Sequence, residues 1–145
     1  MKLHRSGATE WSGDLKSGKG SISVQSKALS AVAFAYQSRL QGAHGTNPEE
    51  LLAAAHSACF TMGLVMMLTE LGKPPAHVET LAVVTLEQTA DGFVIPSVAL
   101  TLRARIPGID EATFSDVASR AKINCPVSRL FRAEITLDAQ LETWI

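Results

Sequence analysis

The sequence predicts an α+β fold, and three observations support this. A long apolar stretch with helical end signals occupies the middle of the chain, segments of period-two alternation lie on both sides of it, and Gly- or Pro-containing turns separate the segments. The chain has 145 residues, of which 46% are hydrophobic and 19% charged, as is typical of one folded domain. We therefore expect residues 1–145 to form a single domain.

The N-terminal part is predicted to contain strands. The stretches "HRSGATEW" and "SISVQS" alternate in character and flank the turn "GDLKSGKG". That turn nearly matches the phosphate-binding pattern G-x-x-x-x-G-K-[S/T], but Gly20 stands where the motif needs a hydroxyl, and a strand follows instead of a helix. A glycine-rich hairpin turn is therefore favoured. The next segment, "AVAFAYQSRL", fits a strand or a helix.

A central helix is predicted from residue 48 to about residue 71. Asn47 can cap its free amides, a proline suits the first helical position, and Glu49 and Glu50 complement the positive end of the helix dipole. Gly72 and two further prolines end it. Residues 51–68 carry no formal charge, but their many small residues favour a helix buried in protein, for example at a subunit interface, over a membrane span.

The C-terminal part predicts a hairpin, two helices and a strand. "VETLAVVTLEQ" and "FVIPSVALTLRARI" alternate around the turn "TADG". "PGIDEATFSDVASRAKIN" is amphipathic with Asp110 as its cap, "CPVSRLFR" begins a second helix, and "AEITLDAQLE" alternates as a final strand.

Charge and targeting signals exclude several classes of protein. The net charge of −1, with no Lys/Arg cluster, offers no basic surface for nucleic acid or a membrane. The polar N-terminus has no apolar core of a signal peptide, so we expect a cytoplasmic protein whose two cysteines form no permanent structural disulfide.

The two cysteines are the main candidates for chemistry. Cys59 lies within the central helix, three residues after His56, and can be read as a small core residue or as a reactive thiol. An H-x-x-C pair could also ligate zinc, although no second ligand pair accompanies it. Cys125 precedes Pro126, which suits the N-cap of a helix, where thiolates are favoured. A redox pair and two packed cysteines both remain open.

The stretches "GTNPEELLAAAHSACF" and "AKINCPVS" together resemble the paired signature of the OsmC/Ohr family, the osmotically inducible and organic-hydroperoxide-resistance proteins. The resemblance runs essentially end to end. The "GDLKSGKG" turn and Arg39 ahead of "GTNPEE" are more similar to the OsmC branch than to the Ohr branch. The resemblance implies antiparallel sheets around a long central helix, in an intertwined homodimer.

The same resemblance implies the site and its chemistry. Cys59 would be the peroxidatic thiol and Cys125 the resolving thiol, with Arg39 as the catalytic arginine and Glu49 as its carboxylate partner. A guanidinium near a thiol favours the thiolate. The protein would be a thiol-dependent peroxidase that reduces organic hydroperoxides to alcohols, without metal, flavin or haem. A reducing dithiol would reopen the disulfide, and the resemblance to the Ohr branch implies one of lipoyl type.

Alternatives to these roles stay open. Glu49 can be only a first-turn dipole residue, with Glu50 as a weaker candidate for its role, and Arg39 an ordinary surface arginine. His56 is left out of the catalytic set, since a hydrogen-bonded core or interface histidine is as plausible as a base. The apolar neighbours of Cys59 are expected in the core, although any that line a pocket would favour alkyl hydroperoxides: Phe60, Met62, Met66 and Met67.

A second class of function competes with the peroxidase. A non-catalytic dimeric module could bind an apolar ligand while its cysteines merely pack. Such a module does not need a second thiol at a helix start, so the Cys125-Pro126 placement favours the enzyme.

Overall fold

The computed structural model describes residues 1–143 and divides the chain into two compact units, Met1–Leu51 and the remainder from Leu52. The first unit holds three strands and a short helix: β1 (Gly7–Ser12), β2 (Lys19–Val24), β3 (Val32–Phe34) and α1 (Tyr36–Leu40). The long helix α2 (Pro48–Glu70) begins in the first unit and continues in the second. The second unit then adds β4 (His77–Thr89), β5 (Gly92–Arg105), α3 (Glu111–Asn124), α4 (Pro126–Leu130) and β6 (Glu134–Leu141).

The N-terminal sheet has the antiparallel order β1-β2-β3, which confirms the predicted hairpin. Its turn is closed by Asp14, whose Oδ1 accepts from the amides of Lys16 (2.8 Å) and Ser17 (3.0 Å). The loop amides that a phosphate would need are therefore bound by a carboxylate of the loop itself. The segment that fitted strand or helix forms both, since β3 ends at Phe34 and α1 follows at once.

Helix α2 begins as the sequence predicts. Asn47 Oδ1 accepts from the amide of Glu50 at 2.8 Å, and Pro48 occupies the first turn. The helix ends at Glu70, one residue before the predicted end. Gly72 adopts φ +68°, its amide donates to Thr69, and the amide of Lys73 donates to Leu68. This is a Schellman motif, in which a left-handed glycine reverses the chain.

The second unit packs one stripe of α2 and one face of α3 against a three-stranded sheet of order β4-β5-β6. Residues at four-residue spacing form the buried stripe of α2: His56, Phe60, Leu64 and Leu68. Phe114, Val117 and Ala121 of α3 belong to the same core. Asp110 caps α3 through the amide of Thr113 at 2.8 Å, as predicted.

The α+β class is confirmed, and the sheets differ from the expectation in one pair of strands. β4 and β5 are antiparallel, but β5 and β6 run parallel, so the second sheet is mixed rather than antiparallel. The two helices α3 and α4 connect β5 to β6, and such a crossover returns the chain to the same end of the sheet.

The opposite face of α2 is exposed in the part of the single chain that the structure describes. Met62 and Met66 are 74% and 59% exposed, because they lie about half a turn away from the buried stripe. The expectation that they belong to the core is wrong for the single chain, whereas Phe60 is fully buried and Met67 packs against the core. By length and mean hydropathy (1.8) alone, α2 could cross a membrane, but its stripe belongs to the core of the second unit.

Candidate active site

The two cysteines lie together in the second unit. Cys59 is half-buried on α2, Cys125 is buried at the start of α4, and both are free thiols. The Cys125 side chain is in hydrogen-bonding reach of the Cys59 sulfur. Two cysteines from separate segments are thus brought to one place, where a disulfide could form between them.

Cys125 is held in place by the junction between two helices. It is both the C-cap of α3, where its amide donates to Ala121 at 3.0 Å, and the N-cap of α4. Pro126 at the first position of α4 fixes this sharp junction. The predicted N-cap position is therefore observed, but the Cys125 side chain makes no capping hydrogen bond.

An amide of the first turn of α4 hydrogen-bonds Cys59. The backbone N–H of Val127, in the first turn of α4, donates to the Cys59 sulfur. This bond favours the thiolate and lowers the pKa of Cys59, whereas burial acts more strongly in the other direction, so the pKa is raised above its ordinary value of 9.0. The neighbouring Cys125 raises it further. Burial is thus the main factor that disfavours the Cys59 thiolate, and the Val127 amide opposes it.

Arg39 and Glu49 form an ion pair in the first unit. Glu49 accepts from Arg39 Nη2 at 2.8 Å and from Nε at 3.2 Å, in the two-pronged geometry that fixes a guanidinium plane. The carboxylate is the more buried partner, 13% exposed against 39% for the arginine. Glu50, the weaker candidate, instead accepts from Thr46 Oγ1 at 3.3 Å.

The local fold of the first unit explains why these two side chains meet. Ser38 is buried beside Arg39, and its hydroxyl lies 2.9 Å from the carbonyl of Thr46, just before α2. The amide of Thr46 donates to Ala33 of β3 at 2.9 Å. Gly45 permits this close approach, because its φ is +123° and a Cβ there would lie 2.8 Å from Ala33 O.

His56 is a buried, hydrogen-bonded histidine. Its Nε2 lies 2.7 Å from Ser128 Oγ, and its ring contacts that of Phe131 with 5.4 Å between centroids. Burial lowers its pKa below 6.5. Among residues 1–143, no group of three or more His, Cys, Asp or Glu side chains is placed to hold a metal ion, and His56 lies against Ser128 rather than a ligand set.

Two contacting residues were not expected from the sequence. Val127 and Ser128 both lie in the "CPVS" stretch, but nothing in their type marks one as an amide donor to Cys59 and the other as a partner of His56. Their position one turn of helix or less after Cys125 is the only sequence signal that could have pointed to them.

The fold and the paired free thiols define a small α+β protein with a dithiol site. The family model for OsmC-like proteins matches residues 41–140, a range that contains both cysteines. The chain belongs to the OsmC family.

Relatives support this assignment over the whole chain. The chain is 45% identical to the protein named Peroxiredoxin OsmC of Escherichia coli, across 99% of this chain and all of the relative. It is 34% identical, over 69% of both chains, to an organic hydroperoxide resistance protein of Xanthomonas axonopodis. An OsmC-like protein of unknown function from Vibrio cholerae shares the fold with a TM-score of 0.77, at 14% identity over 96% of this chain and all of that one.

Proposed function

We propose that this protein is a cysteine-based peroxidase that reduces organic hydroperoxides to alcohols, with Cys59 as the peroxidatic and Cys125 as the resolving thiol. The observation that carries the proposal is the contact between these two free thiols. The full-length similarity to a peroxiredoxin supports it, as does the similarity to an organic hydroperoxide resistance protein. A module that only binds an apolar ligand gives no reason for two separated cysteines to meet.

The reaction has two oxidative steps. The Cys59 thiolate attacks the outer oxygen of the hydroperoxide, the O–O bond breaks, and the alkoxide leaves and takes up a proton to become the alcohol. Cys59 is then a sulfenic acid, oxidised by two electrons. The Cys125 sulfur attacks the Cys59 sulfur and the S–O bond breaks. The hydroxyl group of the sulfenic acid and the Cys125 proton leave together as water. A Cys59–Cys125 disulfide remains.

Arg39 supplies positive charge in this proposal, and Glu49 orients it. Because burial raises the pKa of Cys59, the thiolate needs a stabilising group besides the Val127 amide. A guanidinium at the thiol would favour the thiolate and donate hydrogen bonds to the peroxide oxygens as charge develops. The two hydrogen bonds from Arg39 to Glu49 fix the plane in which the guanidinium presents its donors.

The proposal extends to the assembly and the reductant. Two copies of the chain form a homodimer through the uncovered face of α2, where exposed methionines would otherwise face water. The disulfide is reopened by exchange with a small dithiol, of which lipoyl groups are one kind, in a reducing compartment such as the cytoplasm. Organic hydroperoxides are preferred over hydrogen peroxide, because an apolar tail gains from leaving water.

Oxidation of the reduced protein tests the proposal. Cumene hydroperoxide and hydrogen peroxide are added in separate reactions, free thiols are counted over time, and disulfides are mapped by mass spectrometry. We expect rapid loss of two thiols into a Cys59–Cys125 disulfide, faster with the organic peroxide. Cys59→Ser should not react, whereas Cys125→Ser should lose one thiol and accumulate sulfenic acid and its further oxidation products. Thiols that react no faster than a small free thiol would remove the peroxidase proposal.

A further inference from the structure

Helix α4, which follows the partner thiol, is short, and its Val127 and its C-cap Phe131 are only partly buried against the core. It has five residues and none of them is fully buried. A helix of that length has little stability of its own, so its position depends on the contacts that hold it. The Cys125 side chain and the Val127 amide, which hydrogen-bond Cys59, both belong to this short helix or its cap.

One side-chain hydrogen bond ties this helix to α2. His56 Nε2 and Ser128 Oγ are 2.7 Å apart, although the two residues are 72 positions apart in the sequence. His56 precedes Cys59 by three residues on α2, and Ser128 follows Cys125 by three residues. The His56–Ser128 bond and the thiol contact therefore connect the same two helices one turn apart.

The environment of His56 fixes how that bond is made. The ring is fully buried, and Nδ1 has no hydrogen-bond partner among the described residues. A proton on Nδ1 would be a buried, unpaired donor, which costs more than an unpaired lone pair. The favoured form is the neutral ring with its proton on Nε2, donating to Ser128 Oγ. Phe131, the C-cap of α4, also contacts the imidazole ring, so both Ser128 within α4 and the residue at its C-terminal end pack against His56.

We propose that His56 and Ser128 form a clamp that keeps Cys125 in position to attack oxidised Cys59, so that both are positioning residues for disulfide formation. The inference rests on the proposed function, because it assigns a role in the second oxidative step. When the clamp is lost, α4 samples other positions and Cys125 is less often aligned with the sulfenic acid. The lifetime of the sulfenic acid then increases, and more of it reacts with a second hydroperoxide, which oxidises it to sulfinic acid and releases another alcohol.

The ratio of disulfide to sulfinic acid at Cys59 measures this effect. Both products come from the same sulfenic acid, so the ratio cancels any change in the rate of the first step. It is determined by mass spectrometry of the Cys59 peptide after reaction with a fixed excess of cumene hydroperoxide. Ser128→Ala leaves the buried imidazole N–H without its acceptor, so the arrangement that holds α4 against α2 loses the free energy of one hydrogen bond. We therefore expect the ratio of disulfide to sulfinic acid to fall about tenfold.

Matched variants separate positioning from a general loss of structure. Ser128→Thr keeps the hydroxyl and should retain most of the ratio. Ser57→Ala removes a hydroxyl that donates to the Ala54 carbonyl within α2 at 3.0 Å, and it should leave the ratio unchanged. His56→Gln places an amide near the Nε2 position, whereas His56→Leu has no donor. The ratio of disulfide to sulfinic acid should therefore be higher in His56→Gln than in His56→Leu. Thermal unfolding of each variant confirms that the compared proteins are folded.

The outcomes are distinct. An unchanged ratio in Ser128→Ala overturns the clamp, as does an equal fall in Ser128→Ala and Ser128→Thr. A wild-type protein that forms no Cys59–Cys125 disulfide would remove the proposed function and the clamp with it, whereas a wild-type disulfide with an unchanged variant removes the clamp alone.

Discussion

Glu49 accepts hydrogen bonds from Arg39 with both carboxylate oxygens, at 2.8 Å and 3.2 Å, and is the more buried of the two residues. The carboxylate therefore fixes the orientation of the guanidinium as well as balancing its charge. A single hydrogen bond would leave the arginine free to rotate about it. The role proposed for Arg39 depends on that orientation, and this can be tested without removing the arginine.

Glu49→Gln should slow oxidation of Cys59 by cumene hydroperoxide about ten- to a hundredfold, the cost of losing charge-assisted hydrogen bonds. The rate is measured by single-turnover loss of the Cys59 thiol. Glu50→Gln is the matched control, because Glu50 accepts from Thr46 Oγ1 while Glu49 accepts both described hydrogen bonds from Arg39. Equal losses in the two variants would contradict an orienting role for Glu49.

The pH dependence of Cys59 alkylation should show whether Arg39 stabilises the Cys59 thiolate. Burial raises its pKa above 9.0, so a thiol without a nearby cation should alkylate only at strongly alkaline pH. We expect Arg39→Ala to behave in this way, and the wild-type midpoint to lie lower. The measurement is the pH dependence of iodoacetamide labelling of the Cys59 peptide. The same midpoint in both proteins would show that Arg39 does not stabilise the thiolate.

The start of α2 and the thiol-bearing junction could be predicted because their signals are local. Asn47 followed by proline and two glutamates fixes a helix start within four residues, and Cys125-Pro126 fixes a second one. The segment 31–40 could not be resolved, because a three-residue strand next to a five-residue helix is too short to show either period.

The direction of β6 depends on non-local packing. Its alternating pattern, half-buried at every second residue, predicts a strand equally well for either direction. The same limit applies to the site. The pairing of Cys59 with Cys125 was implied by family resemblance, and the His56–Ser128 bond was missed because serine is common and the two positions lie 72 residues apart.

The stability of the protein should depend on pH through His56. Its pKa is lower in the folded state than the 6.5 of an ordinary histidine. At pH values between the folded pKa and 6.5, the unfolded chain therefore binds a proton that the folded chain does not. The free energy of unfolding should therefore decrease as the pH falls below about 6.5, a range above that in which the carboxylates titrate. Urea unfolding at pH values from about 7 to 5 measures this decrease.

His56→Gln is the informative variant for this measurement. It removes the buried titrating ring and leaves His4, His44 and His77, all of which are exposed. We expect the variant to lose most of the decrease over this pH range. A slope as steep as that of the wild type would assign the pH dependence to other groups.

The uncovered face of α2 should control assembly. Met62 and Met66, 74% and 59% exposed in the single chain, lie on the same side of the helix. If this face joins two copies, Met62→Lys together with Met66→Lys buries two charges without partners and should shift a dimer to monomers at micromolar concentration. Sedimentation velocity measures the change. Ile123→Lys, at an exposed apolar residue of α3, is the matched control and should remain a dimer. A double variant that sediments like the wild type would place the interface elsewhere on the chain.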